Sequence, residues 1–154
     1  MNIVTASLLV FECDYEFPRV IVWDAIIDPV LVEGWLADAT IAPVVGGEYS
    51  LHWPHDVGRE PTLGRVTALS HLEHITVECV DAGLLQFELV ELPGGSRGTS
   101  SRLRVTVEGS GDVGLDSRIR ADWLTSLKQL EELLRGHPVD WQRVAARRVD
   151  RLEG

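Results

Sequence analysis

Between Leu115 and Arg135 the sequence reads LDSRIRADWLTSLKQLEELLR. Ile119, Trp123, Leu127, Leu130 and Leu134 fall at steps of four, four, three and four. That spacing draws one apolar stripe down an α-helix and leaves its other faces polar. Roughly twenty residues of helix span ~30 Å. Asp116 or Ser117 is placed to cap the start, and Gly136 with Pro138 to end it. Apart from one short helical region, the chain upstream is patterned as strands. A long helix after a run of strands needs an apolar surface of matching extent, and a curved sheet that grips it supplies one.

The upstream segments fit such a sheet. Thr5 to Cys13 is a first strand that breaks at Asp14. Pro18 then sits in the first turn of a helix, where its missing N–H costs nothing. Asp28 and Pro29 close that helix and open a second, with Asp28 as cap and Pro29 at the first position. The buried side of the pair is expected to be Val20, Trp23, Ile27, Leu31 and Trp35. The segment 40–45 is extended, and Gly46-Gly47 allows a tight turn. Glu48 to Trp53 alternates with period two, so Tyr49, Leu51 and Trp53 share a face. Further strands are expected at Thr62 to Leu69, His74 to Val80, around Leu85, Phe87 and Leu89, and at Leu103 to Val107. Turn clusters between them imply antiparallel pairing. The order is strand, two short helices, about six strands, long helix: an α+β architecture with a curved antiparallel sheet.

At 154 residues and 45% apolar composition, the chain suits one domain with a real core. Fourteen basic against 24 acidic residues give a formal charge of −10, which repels phosphate backbones and disfavours nucleic acid. The longest apolar run falls short of the ~18 residues a membrane span needs. The start, MNIVTASLLVFEC, lacks a basic region before its apolar stretch, so no signal peptide is expected. Cys13 and Cys79 form no metal or redox spacing, and two thiols in a reducing cytoplasm account for them.

Several motifs then bear on kinship: Phe17-Pro18-Arg19-Val20-Ile21-Val22-Trp23-Asp24-Ala25-Ile26, Asp28-Pro29 followed by Gly34-Trp35, Val45-Gly46-Gly47-Glu48-Tyr49 followed by Gly64-Arg65-Val66, and Ala121-Asp122-Trp123 with Leu127 and Leu130. In order and spacing the chain resembles the START-like helix-grip superfamily, which includes birch-pollen-allergen-type proteins and polyketide cyclases. Within it the likeness is to the bacterial branch related to the heat-shock-protein-90 ATPase activator, over about residues 8 to 135. Ala121 stands where the family has glycine, Glu78-Cys79 where it often has Thr-Trp, and no histidine follows the last strand near Val107-Glu108. The resemblance implies the helix-grip fold; members differ widely in activity, so it implies little about chemistry.

No phosphate loop, G-x-S-x-G elbow or cofactor motif occurs, so no cofactor is expected. His52-x-x-His55 and His71-x-x-His74 are evenly spaced, but residues three apart on a strand face opposite ways, so no metal site is expected. Glu78, Glu88 and Glu91 lie in strands; Glu78 and Glu88 alternate out of phase with their apolar neighbours, and all three are expected in solvent. Five tryptophans stand out. They either fill the core or help line a pocket. In the pocket reading Tyr49, Leu51, Trp53, Val66, Val77, Phe87, Trp123 and Leu127 hold a hydrophobic or aromatic ligand between the sheet and the closing helix. A small-molecule binding module is the favoured reading over an enzyme. The alternatives are a cyclase- or dehydratase-like enzyme in the same cavity and a stress- or chaperone-linked interaction module. Residues 1–136 form the domain. Residues 137–154 form a tail with Trp141, Ala145, Val149 and Leu152 on one stripe and a net charge of +1 against −11 for the rest. Packed on its own domain, the tail closes it; reaching a partner, it makes a homodimer.

Overall fold

The computed structural model describes residues 8–53, 56, 58–80, 83–95 and 97–141. Strand β1 (Leu8–Tyr15) leads into helices α1 (Arg19–Ile27) and α2 (Pro29–Val32). Strands β2 (Asp38–Ile41), β3 (Tyr49–His52), β4 (Gly64–Ser70), β5 (His74–Cys79), β6 (Gly83–Pro93) and β7 (Thr99–Glu108) follow, then helix α3 (Val113–Leu134). Five strands pair antiparallel in the order β1-β7-β6-β5-β4. The β2-β3 hairpin joins them through bridges Glu48–Arg65 and Leu51–Thr62. This is the α+β helix-grip arrangement expected from the sequence: a curved sheet, two short helices and a long closing helix.

Period-two alternation sorts the sheet's faces. Phe11, Val105, Phe87 and Ile75 stand in one row across four strands, and all are buried. The next row, Glu12, Arg104, Glu88 and His74, faces outward. There Arg104 reaches Glu12 at 2.6 Å and Glu88 at 3.9 Å. Glu78 is exposed, as its phase predicts; Glu91 shares the phase of the buried Leu89 but lies near the end of β6 and is exposed too. β1 does not break at Asp14 but runs on to Tyr15, because Asp14 points outward and pairs with Arg102 at 2.8 Å. That Arg102 hydrogen bond, reinforced by its charge, holds the Asp14 carboxyl below the usual carboxylate range.

The bent helix pair shows how local chemistry sets the core. The Asp28 side chain accepts from the Val30 N–H and Pro29 takes the first position of α2. Two carbonyls in the last turn of α1 therefore lack their usual partners. Ala25 O would bond to residue 29, which is a proline, and Ile26 O to Val30, whose N–H is taken. Trp35 Nε1 donates to Ala25 O at 2.7 Å, and the Tyr49 hydroxyl donates to Ile26 O at 2.7 Å. The inward face is Val22, Trp23, Ala25 and Ile26. Val20, expected inside, is 51% exposed, since α1 is apolar nearly all round and its stripe is displaced from the one anticipated. Ile27 and Leu31 are only partly buried.

Two other boundaries differ from expectation. Val44 and Val45 lie in a turn and are exposed rather than extending β2. Gly47 fits there because a β-carbon would meet Ala42 O at 2.2 Å. Helix α3 starts earlier than expected, at Val113, with the Asp112 side chain accepting from the Leu115 N–H. Asp116, the anticipated cap, instead reaches back to the amide and hydroxyl of Ser110. Gly136, with φ +92°, ends the helix as expected. Beyond it, Val139 N–H donates to Gly34 O and Trp141 Nε1 to Glu33 O, so residues 137–141 run back along α2. The tail stripe at Ala145, Val149 and Leu152 lies outside the described residues, as do Thr5 at the chain's start and His55.

Candidate functional site

Helix α3 buries its two halves unequally. Leu127 and Leu130 are sealed against the sheet and α1. The Tyr15 hydroxyl, donating to Leu127 O at 3.0 Å, ties this half to β1. In the other half Ile119 and Trp123 are only partly buried, and Leu115 is 47% exposed. Beneath that half lies a cavity of about 380 Å³. Its apolar wall is Leu36, Leu51, Trp53, Leu84, Leu85, Val107, Leu115, Ile119 and Trp123; Thr62, Ser126, Glu108, Arg59 and Asp122 add polar groups. Cavities of several hundred Å³ with an apolar lining and a few polar groups are typical of small-molecule sites.

Beneath the wall lies an aromatic layer of the core. Trp123 stacks edge-on to Phe87 at 6.1 Å and tilts over Phe11 at 6.5 Å, and Phe87 in turn meets Tyr49 at 6.3 Å. Three of the eight anticipated lining residues, Leu51, Trp53 and Trp123, are on the cavity wall. The other five, Tyr49, Val66, Val77, Phe87 and Leu127, sit one layer below in the core, each at most 3% exposed. Burial raises the Tyr49 hydroxyl far above its ordinary range, so it serves only as a donor to Ile26 O.

The mouth is polar. Arg59 lays its guanidinium over the Trp53 ring at 3.6 Å and stands 3.9 Å from Asp122 of α3 and 3.8 Å from Asp56. It thus spans from the 56–59 loop to the helix. A second hollow of about 370 Å³ adjoins on the outer side, sharing Arg59, Leu115, Ile119 and Asp122 with the first. Deeper in, Glu108 at the end of β7 accepts a hydrogen bond from the Leu84 amide at 3.2 Å. Cys79 also borders the cavity. Burial pushes its thiol up to about 11, which makes it a poor nucleophile at neutral pH. Both cysteines are free thiols.

Arg59, Glu108 and Asp122 were not singled out from sequence. Arg59 lay in a loop without periodicity, and Asp122 read as the polar side of a helix. Leu85 and Val107 carried a signal, since each alternates in phase with a buried neighbour. Among the described residues no group of His, Cys, Asp or Glu is arranged to hold a metal. His71 instead packs edge-on against Trp23 at 6.0 Å. No helix among the described residues is long and apolar enough to cross a membrane.

Comparison with solved structures places the fold among known ones. Protein MLL2253 from Mesorhizobium loti superposes with a TM-score of 0.69 at 19% identity, covering 86% of this chain and 100% of that one. The Aha1 dimer from Colwellia psychrerythraea gives 0.70 at 13% identity, covering 83% and 96%. CalU16 from Micromonospora echinospora gives 0.62 at 21% identity, covering 93% and 84%. A search of curated proteins finds no match. The family model described as "Activator of Hsp90 ATPase homolog 1-like protein" matches residues 16–135. The sheet, the gripping helix and that match agree: the chain belongs to the Activator of Hsp90 ATPase homolog 1-like family, within the START-like helix-grip superfamily.

Proposed function

We propose that this chain binds a hydrophobic or aromatic small molecule in the cavity between the first half of α3 and the sheet. The observation that carries the reading is the cavity itself: about 380 Å³ with Leu51, Trp53, Leu85, Val107, Ile119 and Trp123 on its wall. A fully packed core would have drawn α3 down along its whole length. Here only Leu127 and Leu130 on that helix are fully buried. Covering such a wall with a ligand releases water from apolar surface at about 25 cal/mol per Å².

Calorimetric titration with naphthalenemethanol, a neutral aromatic probe, tests this. The wild-type protein is expected to bind it saturably, and Ile119→Glu to weaken binding by at least about tenfold by placing a charge in the apolar wall. Ile119 is only partly buried, so the fold should survive the change. Absence of binding to the wild type, or equal binding by the variant, rejects the proposal.

A second reading has one observation in its favour. A cyclase- or dehydratase-like enzyme needs polar side chains in the cavity to move protons, and Glu108 and Asp122 both line it. Binding is the step both readings share. As for assembly, the fold-back of residues 137–141 onto α2 supports a tail that closes its own domain. A homodimer through residues 137–154 is the competing arrangement. A stress- or chaperone-linked interaction module, active in the cytoplasm, rests on family membership alone.

A further inference from the structure

The polar groups of the cavity narrow what it accepts; this inference rests on the binding reading above. Glu108 is half-buried on the cavity wall, and its Oε2 accepts from the Leu84 amide. The backbone opposite is shaped around that carboxylate. Gly83 adopts φ +71°, and a β-carbon there would lie 1.7 Å from Glu108 Oε2. Any other residue at position 83 would displace the Glu108 side chain. Among the described residues, no Lys, Arg or His forms an ion pair with Glu108. Arg59, the cation on the described wall, is answered by Asp122, Asp56 and the Trp53 ring.

A ligand that covers Glu108 strips water from a carboxylate in an apolar setting. That is unfavourable unless the ligand returns charge or donors. An ammonium group returns both in a charge-assisted hydrogen bond. A ligand anion would instead set like charge beside Glu108. We infer that the cavity selects amphipathic organic cations: an apolar or aromatic body with a protonated amine, the amine bound by Glu108.

The test titrates three matched probes, naphthylmethylammonium, naphthalenemethanol and naphthoate, into wild type and Glu108→Gln at neutral pH. The wild type should bind the cation at least about tenfold more tightly than the anion. Glu108→Gln, which keeps an acceptor for Leu84, should erase that preference for the cation over the anion. If the wild type binds all three alike, or the anion best, the inference falls while the cavity reading stands. If it binds none, both fall. The wild-type ranking decides the matter even where the variant does not fold.

Discussion

At the scale of single residues, the clearest logic is at the end of α1. A proline at position 29 deprives Ala25 O of its helical donor, and a capping aspartate takes the donor due to Ile26 O. Two aromatic side chains supply replacements from elsewhere in the chain. Tyr49→Phe keeps the ring and removes one donor, leaving Ile26 O buried without it. The expected loss is ~1–3 kcal/mol of unfolding free energy, measured by urea titration with an unchanged denaturant slope. A loss below a few tenths of a kcal/mol would show that another donor reaches Ile26 O. The capping pattern at Asp28-Pro29 was legible in the sequence because it is local. The rescue was not, because Trp35 and Tyr49 read as apolar members of a face. Their polar atoms acquire a role only when the chain brings them to the carbonyls.

At the scale of elements, α3 repeats the lesson in a different form. Its stripe and its end at Gly136 were readable from spacing and composition. Its start was not, since Gly111 to Gly114 has the texture of a linker and Gly114 is a weak helix former. The Asp112 side chain overrides that weakness by satisfying the Leu115 amide, and Asp116 locks the turn to Ser110. This first turn overhangs the cavity, and Leu115 is on its wall. Asp112→Ala should cost ~1 kcal/mol, a fall in Tm of roughly 2–4 °C. Hydrogen exchange should quicken first at residues 115–119 and leave Leu127 to Leu130 protected. Uniform quickening along α3 would mean that the helix opens as one unit and that the two halves are not independently held. The succession of strands along the chain was likewise legible from alternation and turn residues, whereas the pairing of β1 with β7 was not, because it joins segments far apart in sequence. The lining was readable only in part. Alternation tells which face a residue takes, whereas the height of the helix above that face decides whether a residue meets a cavity or another side chain. Tyr49 and Leu51 share a face of β3, yet only Leu51 reaches the cavity.

At the scale of the whole molecule, the helix is anchored at one end and lifted at the other, and the anchor extends past the helix itself. The chain turns at Gly136 and runs back along α2, donating from Val139 to Gly34 O and from Trp141 to Glu33 O. Gly34 belongs to this seam, for a β-carbon there would lie 2.7 Å from Leu133 and 3.2 Å from Pro138. The seam clamps α2 to the end of α3 on the side away from the cavity, so it holds the anchored half in place without closing the open one. Two such hydrogen bonds are worth about 2 kcal/mol together. Deleting residues 137–154 should therefore lower Tm by roughly 4–8 °C. If the tail closes its own domain, light scattering should give both proteins the same number of subunits, and binding of the neutral probe should persist at temperatures where the shortened chain is folded. A full-length dimer that becomes a monomer on deletion would overturn that arrangement in favour of a tail that reaches a second copy. In that case the arginines of residues 143–151 would meet the acidic face of the partner, and raising the salt concentration should dissociate the pair.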